Sequence, residues 1–390
     1  MPATATAAIR EKDLQRWRLI ERFQAELTAE VEARGGLTGT WADPERQLQL
    51  GQYLSLYLFG LFNPVVETMR GLCGASELAR VQREVCGRKV SLGSFSEAQA
   101  VVEPELIKAV LERLGVGADT PAPRRGCTGR ERVIDSSVWQ VLPRMHWAFW
   151  RHQGGLDNAV RLHVQFDLEK GRVSAAQLTK AKQCERKQWK EMTQPGRCYI
   201  GDRYYGYDYK LLAELQAKGT DFVIRLRVVA QWGEENSEIL TAAARAAGVT
   251  WAGTVRLGKA SDGPRVRVIQ ILAENESILV VTTLPAADFP PEMIAELYRH
   301  RWQVEMFFRW LKCILGCRHW LAESARGVAL QVYLALIAAQ LLVLYRGERP
   351  NRRQMEAIQF YLMGWATLEE LVAKLSPTAA GKKPAPSKKR

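Results

Sequence analysis

Three carboxylates have the type and placement for chemistry: Asp135 in VIDSSVW, Asp202 at the end of CYIGD, and Glu305 within YRHRWQVEMFFRWLK. An acid inside a strand-like run is disfavoured unless it has a purpose. Asp202 ends an apolar strand, at the carboxyl edge where sites collect in α/β folds. Two strand acids and one helix acid can converge on a hard divalent cation, because magnesium takes oxygen ligands, keeps several waters and needs few carboxylates. Two such ions about 4 Å apart activate a nucleophile and stabilise the leaving oxygen of a phosphodiester. Plainer readings stay open for each acid. Asp135 is also a candidate turn cap or partner of Arg132, and Asp202 the start of the turn DRYYG. Glu305 is a candidate for i,i+4 pairing with Arg301 or Arg309. Asp157, Asp167 and Asp221 compete but read as turn or hairpin residues.

The elements that must position these acids are legible in outline. A single helix is expected over about 290–315, starting after Asp288 with Pro290 and Pro291 and stopping at Gly316. At about 100° per residue, Tyr298, Arg301, Glu305 and Lys312 project within roughly 60°, with Arg309 beside them. Leu297, Val304, Phe307, Leu311 and Ile314 form a separate apolar side. RVIDSSVWQVL is strand-like, and 159–178 alternates and turns at Glu169–Gly171, as a hairpin does. CYIGDRYYG is a short strand and turn, YKLLAELQAKG a helix capped by Asp208, and DFVIRLR another strand. Hairpin strands followed by strands alternating with helices predict a mixed α/β sheet with helices on its faces. Residues 228–285 are mainly β, with turns at Ser261–Gly263 and Asn275–Glu276, and read as an inserted subdomain.

Residues 1–125 read as a helical N-terminal domain, divided at the Pro-, Gly- and Arg-rich stretch 120–132 from a unit over 126–375. Residues 376–390 form a basic low-complexity tail, expected to be disordered. Five of the thirteen net positive charges lie in GKKPAPSKKR, so the body is basic as well. That balance points to a polyanionic partner, nucleic acid first and membrane surface second. Two clusters suit a polyanion: Lys180, Lys182, Arg186, Lys187 and Lys190, and Arg124, Arg125, Arg130 and Arg132.

The seven cysteines are scattered and odd in number, and the start MPATATAAIREKD lacks an apolar run. Both predict reduced thiols and a cytoplasmic protein. Cys313, Cys317 and His319 offer three zinc-type ligands without an obvious fourth. Residues 327–345 are long and apolar enough to mimic a membrane span, but Gln331 and Gln340 interrupt them. A helix buried in a large core is the expectation, and no membrane partner is expected.

Tyr298, Arg301, Glu305 and Lys312 form Y-x2-R-x3-E-x6-K, which resembles the signature of the insertion-sequence-four family of DDE transposases. VIDSSVW and YIGDRYYGYD look like that family's first and second acidic regions, and they come in its order. The resemblance covers about residues 90–345. It implies a ribonuclease-H-like catalytic domain with a β-rich insertion, and Asp135, Asp202 and Glu305 as catalytic metal ligands. It implies two Mg2+ ions, with Mn2+ able to substitute, and cut-and-paste transposition. The partners implied are double-stranded DNA, as element terminal inverted repeats recognised by the N-terminal DNA-binding domain and as target, and a second copy in a synaptic homodimer. Arg301 and Lys312 would hold phosphates and Tyr298 the cleaved end; Arg309 is added on geometry. Where a hairpin end forms, a flipped base needs an aromatic platform. Trp251 is the candidate, with Trp232 second; a buried core tryptophan is the plainer reading. The chain is thus expected to act in the bacterial cytoplasm, at the nucleoid. Two other readings are a nuclease of the same fold that does not join ends, and a transposase-derived DNA-binding protein without catalysis.

Overall fold

The computed structural model describes residues 18–63, 66–116, 128–152, 154–227, 229–259, 263–273, 276–314, 320–346, 352–362 and 365–375. The 376–390 tail, Gly316, Cys317, His319, Arg124 and Arg125 lie outside them, as does most of the Ser261–Gly263 turn and Asn275.

One ten-stranded sheet organises the chain. Strand β1 (Glu131–Gln140) lies between β3 (Gly155–Asp167) and β5 (Cys198–Gly201), antiparallel to the first and parallel to the second. Beyond β3 lie β4 (Arg172–Lys180) and short β2 (Phe149–His152); beyond β5 lies β6 (Asp221–Arg225), again parallel. The mixed sheet expected from sequence is therefore present. Strands β7 (Trp232–Ser237), β8 (Val249–Leu257), β9 (Arg265–Ala273) and β10 (Glu276–Thr282) follow in antiparallel order. They extend the same sheet, because β10 pairs with β6 along Thr282↔Val223 to Val280↔Arg225.

Strand alternation sends side chains to two faces, and each face has its own core. Val133, Cys198, Ile200 and Val223 join the larger core, and Ile134, Tyr199, Phe222 and Ile224 the smaller one. The larger core also takes in helices α1 (Arg18–Ala33), α2 (Leu50–Phe62), α3 (Met69–Ala75), α4 (Leu92–Val101) and α5 (Pro104–Val116). The N-terminal helices therefore share a core with the sheet, and the boundary at 120–132 does not divide it. On the smaller core lie α6 (Glu185–Met192) and α7 (Tyr209–Ala217), whose cap Asp208 accepts from Leu211 N at 3.1 Å. Helix α8 (Ala242–Ala246) bridges β7 and β8 in sequence.

The helix expected over 290–315 is two helices: α9 (Pro291–Arg299) and α10 (Trp302–Ile314). Between them Arg301 N bonds Tyr298 O, Gln303 N bonds His300 O, and Val304 N bonds Arg301 O. These i→i−3 bonds wind the chain tighter than an α-helix and end the continuous register. The apolar stretch near the C-terminus is α11 (Ala325–Arg346), the one described helix long and apolar enough to cross a membrane, and it is mostly buried. Its two glutamines are satisfied inside the protein. Gln331 accepts from Leu321 N at 2.9 Å and from Tyr57 OH, while Gln340 donates to Leu111 O at 3.2 Å. Helices α12 (Arg352–Leu362) and α13 (Leu368–Leu375) close the described chain.

Candidate active site

The parallel pairing of β1 and β5 ends at Val133↔Ile200. Asp135 stands two residues further along β1, and Asp202 stands one residue past the end of β5. A step of two along β1 returns Asp135 to the face of Val133, which α10 covers, and Asp202 lines the same cavity as Asp135. Their backbones hold them: Ser136 N donates to Asp135 Oδ1 at 2.8 Å, and Tyr204 N to Asp202 Oδ1 at 2.9 Å.

A cavity of about 320 Å³ opens at this edge, lined by Asp135, Ser136, Arg161, Gln183, Glu185, Asp202 and Tyr204. Burial pushes the Asp135 carboxyl up to about 7. The negative charges of Asp202 and Glu185 push the same way, against the Ser136 N–H and Arg301. Excess negative charge on hard oxygen donors suits a divalent cation, whose charge restores the ionised form. Asp135 and Asp202 therefore fit as ligands. No group of three or more His, Cys, Asp or Glu among the described residues is already gathered tightly enough to hold a metal.

Glu305 stands in the first turn of α10, where the helix dipole favours an acid. Its Oε1 is 2.6 Å from Arg301 Nη1, so the i,i+4 pair read as the plainer alternative is formed. Arg301 reaches both sides: burial pulls its pKa down, but Tyr298, Glu305 and Asp135 outweigh burial and hold it above its usual value. Tyr298 is 7 % exposed and lies beneath the Arg301 guanidinium, 5.9 Å from ring centroid to Cζ. Burial also pushes its hydroxyl up, with Arg301 and Arg225 opposing and Asp202 reinforcing the shift. Lys312 reaches β1, donating to Val138 O at 3.0 Å and lying 4.7 Å over Trp139. Arg309 is exposed. Trp251 lies away from this cluster; it is half-buried, stacked on Trp232 at 24° and packed on the smaller core.

The competing acids have structural partners. Asp157 meets His152 at 3.0 Å, Asp167 meets Arg132 at 3.0 Å, and Asp221 meets Arg130 at 3.1 Å. Two of the four arginines proposed to track a polyanion are thus in ion pairs. In the other cluster Lys180, Lys182, Lys187 and Lys190 are exposed, and Lys190 pairs with Glu214.

Two features were missed in the sequence. Glu185 turns inward from that basic segment; Trp189, four residues on and buried, marked the side it would take. An exposed row also leads out of the cavity: Arg186 lies 5.1 Å over Tyr204, Tyr204 is 6.5 Å from Tyr207, and Arg227 lies 4.2 Å over Tyr207. The DRYYGY turn held both rings in plain view, but which of its tyrosines face solvent depended on the fold.

The family model described as the transposase DDE domain matches residues 127–341, which include all three acids. The chain belongs to that family. A Sinorhizobium fredii protein named as transposase y4zB is 29 % identical over 243 residues, 59 % of this chain and 64 % of that one. A Geobacillus stearothermophilus protein, named as transposase for insertion sequence element IS5377, is 28 % identical over 215 residues, 54 % of this chain and 55 % of that one. The DDE chain thus spans less than two thirds of the length of either relative. A solved structure, the piggyBac transposase synaptic complex with hairpin DNA, aligns at TM-score 0.43 and 11 % identity, over 95 % of this chain and 86 % of that one. Membership of the DDE family implies use of a divalent metal.

Proposed function

We propose that this chain is the DNA transposase of an insertion sequence, cutting at the element's ends and joining them to target DNA. The observation that carries the reading is that Asp135 and Asp202, each two residues beyond the last pair of parallel strands β1 and β5, line one cavity at the edge packed by the helix of Glu305.

In this reading Asp135 and Asp202 hold divalent cations, two Mg2+ or, in their place, Mn2+. When bound, the ions activate water or a 3′-hydroxyl as nucleophile and stabilise the leaving oxygen. Glu305 completes the acid set, and Arg301 is the link between it and a DNA phosphate. A phosphate competes for the guanidinium, since Arg binds phosphate and carboxylate through the same fork. Tyr298 props Arg301 from below at the cleaved end, and Lys312, tied to Val138 O of β1, supplies a cation for a phosphate. Arg309 and the exposed lysines of 180–190 take backbone phosphates, which position DNA without reading it. Trp251 with Trp232, and the Tyr204–Tyr207 row, offer aromatic faces to unpaired bases. The partners are double-stranded DNA, as terminal inverted repeats and target, and a second copy in a synaptic homodimer. The place of action is the bacterial cytoplasm, at the nucleoid.

The test is supercoiled DNA carrying the element's ends, with Mg2+, comparing wild type with Glu305→Gln. Nicking at the ends and joined products from wild type, with binding but no cutting by the variant, support the reading. Equal cutting by both makes Glu305 a structural partner of Arg301. Cutting without joined products indicates a nuclease, and specific binding without cutting indicates a DNA-binding protein.

A further inference from the structure

Glu185 comes from α6, on the opposite face from α10, yet it lines the cavity with both strand acids. Neither carboxylate oxygen is idle. Glu185 Oε1 accepts from Tyr205 OH at 2.6 Å, and Oε2 is 2.9 Å from Arg161 Nη1. Arg161 Nη1 also donates to Ser136 Oγ at 3.1 Å. Ser136 follows Asp135 on β1, and Arg161 belongs to β3. Tyr205 is 2 % exposed, packs edge-on against Trp189 and presses on Gly201, where a Cβ would meet its ring at 2.9 Å. Gly201 precedes Asp202. One carboxylate therefore joins the strand pair that carries Asp135 to the turn that carries Asp202.

We propose that Glu185 is a positioning residue of the cleavage site, whose hold on Arg161 and Tyr205 sets the separation of Asp135 and Asp202 and hence their affinity for a divalent cation. The proposal rests on the reading of those two acids as metal ligands. Asp135 sits in the β1–β3 ladder opposite Val164, but β1 and β5 are not paired beyond Val133 and Ile200, so no ladder sets the separation of the two acids. The Ser136–Arg161–Glu185–Tyr205 chain does so across the gap. Charge-assisted bonds of this kind are short and directional.

The test is Mn2+ binding to the DNA-free protein, followed by the loss of the free-ion spin-resonance signal. Three variants cut the chain at different points: Glu185→Gln, Arg161→Met and Tyr205→Phe. Each is expected to weaken Mn2+ binding roughly 10-fold or more, the usual effect of losing a residue that orients a ligand. Glu185→Gln combined with Tyr205→Phe is expected to be little worse than either alone, because they act as one unit. In cleavage the Mg2+ concentration for half-maximal rate should rise by a similar factor, with the rate recovering at saturation. Weakening by Glu185→Gln alone, with Tyr205→Phe and Arg161→Met like wild type, makes Glu185 a direct ligand and overturns the positioning role. Unchanged Mn2+ affinity in all three, whatever their melting temperatures, makes the chain a purely structural contact and overturns the proposal. If wild type binds Mn2+ and the variants weaken it but no DNA is cut, the transposase reading fails while the clamp stands.

Discussion

The start and the middle of β1 treat charge in opposite ways. At its start Arg132 and Asp167 form a buried ion pair across to β3, and Glu131 accepts from Thr128 N and Oγ1. Every charge there has a partner, and the region reads as structure. At mid-strand Asp135 lies near Asp202 and Glu185, with Glu185 engaged by Arg161 and Arg301 engaged by Glu305. Among the described residues no ion pair neutralises Asp135 or Asp202, where the parallel pairing stops. The difference separates an acid kept for folding from one kept for a ligand: the former is neutralised from within the chain, the latter is not.

The widest separation is expected in catalysis. Asp202→Asn should leave the fold intact and cut DNA nicking by about a thousandfold or more, several kcal/mol of lost metal-borne stabilisation of the transition state. A plasmid-nicking time course together with the thermal melt measures both. If nicking survives, the uncompensated stretch is not the reactive one and the comparison collapses.

Next comes the reverse experiment at the paired end. Asp167→Asn keeps a side chain able to cap Lys170 N, which Asp167 Oδ1 accepts at 2.9 Å, but removes the charge facing Arg132. Burial already pulls the Arg132 pKa down, and Asp167 is the largest influence raising it. Leaving that cation unpaired should cost about 3–5 kcal/mol of stability. Urea unfolding reads the cost, and Mn2+ affinity per folded molecule should not change. A stable variant would mean that the pair is not needed to neutralise the buried arginine.

The same contrast explains what the sequence could disclose. Asp135 and Asp202 were legible because each ends or interrupts a strand-like run, and strands place residues by a rule of two. The Arg301–Glu305 pair was legible from i,i+4 spacing. The break between α9 and α10 was not, since the apolar periodicity runs on through His300 and Arg301 while the backbone tightens. Nor was the union of the N-terminal helices with the sheet core, because Tyr57–Gln331 and Leu111–Gln340 join residues hundreds of positions apart. Glu185 was hidden by its neighbours: five cations made its segment look like a solvated face, and only the packing of Trp189 turns one side of α6 inward.

The effect of pH is spread most gradually, and it sharpens the comparison most. In metal-free buffer the Asp135 carboxyl titrates near 7 in the folded protein, against 3.8 ordinarily. Between those values the folded state holds a proton that the unfolded state has released. Stability from this group is therefore full below about pH 4 and lost as pH rises through 7, with a slope of at most about 1.4 kcal/mol per pH unit. Buried His163, pushed down to about 4, works in the opposite direction: its contribution is present above 6.5 and lost as pH falls towards 4. The two overlap, so the raw stability profile of wild type cannot separate them. Subtracting the profile of Asp135→Asn cancels the histidine and leaves the carboxyl. The difference should favour wild type least at pH 8. Adding Mn2+ there should raise the melting temperature of wild type and not of the variant, because ligation supplies the charge that the chain withholds. A difference that is flat from pH 4 to 8 would mean that Asp135 is already neutralised by its neighbours, and that the start and the middle of β1 are alike.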